Sequence, residues 1–76
     1  MNAKHRLEQT LGRHGFKPSP SGEFARPPLS VVLEPSGRPG VAQCSDGKAV
    51  SVRKLDDATV WVDKESSKLD DFEQGY

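Results

Sequence analysis

Cys44, His5, His14 and two aspartate pairs are the residues in this chain whose types could support chemistry. A thiol beside an imidazole would make a nucleophile with its base. A cysteine with histidines and a carboxylate would make a zinc site. The spacing favours neither. His5 and His14 lie nine positions apart on a basic segment, which does not direct both rings to one metal. No local pattern brings either ring to Cys44, and a small cysteine in an apolar strand reads as buried packing. Asp56-Asp57 and Asp70-Asp71 are sequence neighbours whose side chains need not converge as an acid/base pair. "PSGRPG", residues 35–40, lacks the Lys-Ser/Thr and the following helix of a phosphate loop. The sequence therefore assigns no catalytic residue, no metal ligand and no cofactor, and the expectation is a non-enzyme.

The elements that would position any site must come from 76 residues, a length at which one hydrophobic core leaves little stability to spare. The expected core is Leu7, Leu11, Phe16, Phe24, Leu29, Val31, Leu33, Val41, Val50, Val52, Val60 and Val62, with Trp61 as a further candidate. Cys44 is the only cysteine, which excludes an internal disulfide framework. No apolar run is long enough to cross a membrane and no signal-peptide pattern opens the chain, so a cytoplasmic protein is expected. Net charge is zero but unevenly spread. Residues 1–39 hold six Lys and Arg against three Glu, while residues 40–76 hold five against eight acids.

"NAKHRLEQTLGRHGF" has the marks of an opening helix over residues 1–16. Asn2 is an N-cap, Ala3, Leu7 and Leu11 form an apolar stripe, and Gly15 suits the left-handed position after the last turn. Residues 17–28 hold four of the six prolines and read as a linker. From Leu29 the period changes to two, and "LSVVLE" reads as a strand. "VAQCSDGKAVSV" follows as a hairpin, with Asp46-Gly47 in a two-residue turn. After a turn at "KLDDA", "TVWVDK" supplies a fourth strand. The fold class is α+β: an N-terminal helix on a four-stranded antiparallel meander, curled in the manner of a partly open SH3-like barrel. The domain would span residues 1–64, with the sheet over 29–64.

The hairpin has two unlike faces. With a two-residue loop, Ser45 pairs with Lys48, Gln43 with Val50 and Val41 with Val52. Val41, Val50 and Val52 then share one face and are expected to form the core side. Ala42, Cys44, Ala49 and Ser51 share the other, which either lies beneath a covering element or stays open for docking. Trp61 and its neighbours Val60 and Val62 point to opposite sides of the fourth strand. A one-residue slip exchanges them, so Trp61 is either core or an exposed anchor.

Residues 65–76 are polar and acidic, as a disordered tail should be, and their removal is expected to leave the fold's stability unchanged. Leu69, Phe72 and Tyr76 fall at helical spacing within this tail and could order in a partner's groove.

"LGRHGF" resembles the opening of small mRNA-interferase toxins, which rely on a histidine in a Gly-Ser-His motif on the next strand. Residues 18–28, "PSPSGEFARPP", contain no histidine, so the likeness covers six residues and transfers no activity.

The expected function is a non-enzymatic protein-binding module that modulates a larger macromolecular machine, with Trp61, Leu69, Phe72 and Tyr76 as partner-binding residues. Self-contained proteins of this length often come from phages or mobile elements, which makes an inhibitor of host machinery a natural form. Monomer or weak dimer is the expected state. The alternative is a nucleic-acid-binding protein using Lys4, Arg6, Arg13, Lys17 and Arg26. Against it stand a pI near 6.7 and the lack of interleaved aromatics for stacking.

Overall fold

A computed structural model describes residues 2–34 and 38–74, the side chains of residues 73 and 74 excepted. In chain order the elements are α1 (Ala3–Arg13), β1 (Lys17–Pro18), β2 (Glu23–Arg26), β3 (Leu29–Leu33), β4 (Val41–Ser45), β5 (Val50–Lys54) and α2 (Leu55–Gln74). The class is α+β, with a five-stranded antiparallel sheet in the order β1-β2-β3-β4-β5. β1 and β5 are the two edges of the described sheet.

Local chemistry sets the bounds of α1. Asn2 caps it, its Oδ1 accepting a 2.8 Å hydrogen bond from the His5 amide. At the other end the Phe16 amide donates to the Leu11 carbonyl at 2.9 Å and the Gly15 amide to the Gly12 carbonyl at 3.2 Å. With Gly15 at φ 85°, this is a Schellman ending. Leu11 and Phe16, the hydrophobic pair of that motif, are both buried.

Residues 17–28, expected as a linker, hold a hairpin instead. Its prolines occupy positions where a strand or turn tolerates them. Pro18 ends the edge strand β1, Pro20 sits in the turn closed by the Ser19 carbonyl and Gly22 amide (3.0 Å), and Pro27-Pro28 connect β2 to β3. This hairpin raises the strand count from the expected four.

The larger correction concerns residues 55–74. The expected fourth strand at 59–64 and residues 65–74 of the expected disordered tail belong to α2, a single helix of 20 residues, and residues 75–76 lie outside the described residues. Val60-Trp61-Val62 imitates a strand because β-branched and aromatic residues favour one. The longer pattern is helical: Leu55, Ala58, Val62, Ser66 and Leu69 recur every three or four residues and turn inward. Asp56 and Asp57 occupy the first turn, where negative charge suits the helix dipole.

Both helices lie on one side of the sheet. Arg6 meets Asp56 at 3.5 Å and His14 meets Asp63 at 2.7 Å, so α1 and α2 run side by side in the same direction. The core between helices and sheet is Leu7, Leu11, Phe16, Leu29, Val31, Ala42, Cys44, Ala58 and Val62. Phe24, Leu33, Leu55, Trp61 and Leu69 pack against its margin. At 1.5 Å per residue α2 is about 30 Å long and reaches from the end of β5, which it directly follows, to β2. Arg26 at the end of β2 holds its distal turns. Its guanidinium pairs with Asp70 and donates to the Ser66 carbonyl at 3.5 Å.

Candidate partner-binding surface

The β4–β5 register decides which side of the sheet is free. Ser45 pairs with Val50, Cys44 with Ser51, Gln43 with Val52, Ala42 with Arg53 and Val41 with Lys54. The loop is therefore four residues, 46–49, and not the two expected from Asp46-Gly47. Asp46 explains the difference. Its carboxylate accepts from the Ala49 amide at 2.9 Å and the Lys48 amide at 3.0 Å, which closes a wider turn. These same two bonds, that from Ala49 first, hold the Asp46 carboxyl below its usual pKa.

A shift of two residues preserves the faces, so the division into a valine side and a small-residue side stands. Which side is the core is reversed. Ala42 and Cys44 are buried beneath the helices, in line with Leu33 and Val31 on β3. Small side chains there let the α2 backbone approach β4 closely. Ala49 falls in the loop and is exposed. The opposite face bears Val32, Gln43 and Val52 in one cross-strand row, Ser30, Ser45 and Val50 in another, and Val41 beside Lys54. No described element covers it. Val50 is 63% and Val52 52% exposed, where both were expected in the core.

A second surface adjoins it around the β5 edge. Arg53 projects from β5 to the helix side, and with Asp57, Val60, Trp61 and Lys64 of α2 it lines a groove of about 300 Å³. Trp61 is half-buried: one part packs on the core margin and another lines this groove. Neither sequence alternative for Trp61 described it fully. Val60, also expected in the core, is 66% exposed on the groove's rim.

The remaining candidate residues lie apart. Leu69 faces the chain's own core, so it does not share a free apolar face with Phe72, which is 84% exposed. Tyr76 lies outside the described residues. Of the basic candidates, Lys4 faces Glu34 at 3.9 Å, Arg6 faces Asp56, and Arg26 is held by Asp70. Arg13 lines a depression on α1 with Arg6, while Lys17 sits on the far edge strand β1. Lys4, Lys17 and Arg26 are not among the residues lining the depression that holds Arg6 and Arg13.

Cys44 is buried between sheet and helices, and burial pushes its thiol up to about 11, Arg53 opposing. His14 is engaged with Asp63, and His5 sits exposed near the start of α1. Among the described residues no three His, Cys, Asp or Glu side chains gather as a metal site. Among them, too, no helix is long and apolar enough to cross a membrane. The thiol gives a direct check on the packing. Iodoacetamide should label Cys44 only as fast as the domain opens, and rapid labelling of folded protein would contradict its burial. An unfolded thiol loses its proton near 9.0 and the folded one near 11. This group's contribution to stability is thus complete below pH 9 and declines as pH rises towards 11.

Comparison with known proteins adds no relative: no family model, no curated protein and no solved structure matches this chain.

Proposed function

We propose that this chain is a non-enzymatic protein-binding module that modulates a larger assembly through the uncovered face of its sheet and the adjoining edge. The observation that carries this reading is the exposure of Val50 and Val52 on a face with no described cover. One face of an antiparallel sheet commonly meets solvent, but it then alternates towards polar residues. Here Val32, Val41, Val50 and Val52 stand where polar residues would serve solubility better, and apolar surface of this kind marks interaction sites. A partner covering this face would also supplement the stability of a small core. A cytoplasmic setting belongs to the proposal, since a lone buried thiol suits a reducing compartment.

An inhibitor acting on host machinery is one form such a module takes. Nucleic-acid binding has weaker support, because Lys4, Arg6 and Arg26 already face carboxylates. Capture from lysate with and without nuclease separates the two. Retention of a protein partner after nuclease is expected, and capture that disappears with nuclease would move the function to the basic residues.

A further inference from the structure

We infer that β5 is a docking edge for an extended, acidic and apolar segment of the partner protein, which adds to the sheet as a sixth strand. The inference deepens the protein-binding reading and rests on it. Its first support is a contrast between the two edges. β1 is two residues long and ends in Pro18, which has no amide to donate, so that edge is blunted against pairing. β5 has five residues and no proline, and its outer side carries no described strand. An edge of this length without proline is a template for strand addition, and its cations oppose pairing with a like-charged strand.

The second support is that apolar surface flanks the edge on both sides. Val50 and Val52 lie on the open side, and the groove with Val60 and Trp61 lies on the helix side. Side chains of an added strand alternate between the two faces, so one set would cross the valines and the other would enter the groove.

The third support is charge. Residues 47–55 carry Lys48, Arg53 and Lys54 and no acidic residue. Lys64 adds a fourth cation at the groove, opposed there by Asp57. Glutamate or aspartate on the incoming strand would meet Arg53 and Lys64, while a second cationic β5 would be repelled. The chemistry points to an acidic segment of another protein and not to a second copy of this chain.

The test uses the full chain and two blocked ten-residue peptides, one alternating glutamate with valine and one alternating lysine with valine. A third probe is the glutamate peptide with its central valine changed to proline. The glutamate peptide should bind roughly tenfold more tightly than either of the others. It should slow hydrogen exchange at the β5 amides and shift the fluorescence of Trp61, the only tryptophan. Val60→Asp, at an exposed rim position, should weaken binding severalfold while leaving the melting temperature unchanged. A partner lying flat on the valine face would not register that substitution. Equal binding of the three peptides, protection confined to other strands, or dimerisation of the protein alone through β5 would each overturn the inference. Nuclease-resistant capture of a partner that Val60→Asp does not weaken would overturn the edge and leave the binding module standing. Absence of any nuclease-resistant partner would overturn the module itself.

Discussion

Ending the chain at Glu65 should lower the melting temperature by roughly 8–16 °C. The residues removed look dispensable in sequence, being charged, serine-rich and terminal. In the fold they are the distal turns of α2. Ser66 is fully buried and Leu69 packs on the core margin. A fully buried leucine contributes roughly 1.5–3 kcal/mol, and half-buried Leu69 about half of that. The Asp70 carboxylate on the Arg26 guanidinium ties the same turns to β2. Loss of roughly 2 kcal/mol corresponds to about 8–16 °C for a domain of this size. Point variants guard against a trivial failure of the truncated chain. Leu69→Ala should reproduce part of the loss, and Phe72→Ser, at an exposed site three residues on, should reproduce none. A truncated chain that melts with the intact one, by circular dichroism, would show that these turns do not pack.

Enlarging the small-residue face costs more than polarising the valine face. Ala42 is fully buried, so Ala42→Leu must displace the packed helix layer. Overpacking of this kind typically costs 1–3 kcal/mol, or roughly 4–24 °C here. Val52→Thr retains β-branching on a half-exposed site and should change stability by less than about 0.5 kcal/mol. If the valine face were instead the core, the order would reverse: Val52→Thr would bury a hydroxyl and Ala42→Leu would point to solvent. Thermal melts of the two variants, measured side by side, distinguish these arrangements.

The features legible in sequence are those written in local chemistry. Asn2 and Gly15 mark the ends of α1 because a cap and a left-handed residue act within a few positions. Alternation exposes β3 and β4 in the same way. The choice of core face was not local. Val41, Val50 and Val52 look like core until a helix is known to lie on the other side, and that helix was hidden in a strand-like run of three residues. Better signals were present. Residues 48–74 contain no glycine or proline, and "KLDD" recurs after 14 residues, close to four helical turns, placing Leu55 and Leu69 on one face. The proline-rich hairpin was missed for a different reason. Proline excludes helix and central strand, but it leaves edges and turns open, and all four prolines occupy such places.

For the candidate surface, the sequence identified Trp61 and Phe72 as residues to watch but not Val50 or Val52, whose exposure depends on the whole layer arrangement. Arg53 was also overlooked. In sequence it is one cation among eleven, and only the fold brings it to the groove beside Trp61.

The central claim is that a protein partner meets the uncovered valine face. Its most direct test is nuclease-treated capture by the intact chain and by Val52→Glu, compared at equal folded protein as judged by circular dichroism. The account predicts one retained partner for the wild type and its loss, by roughly tenfold or more, for the variant. Equal capture by both proteins would contradict it.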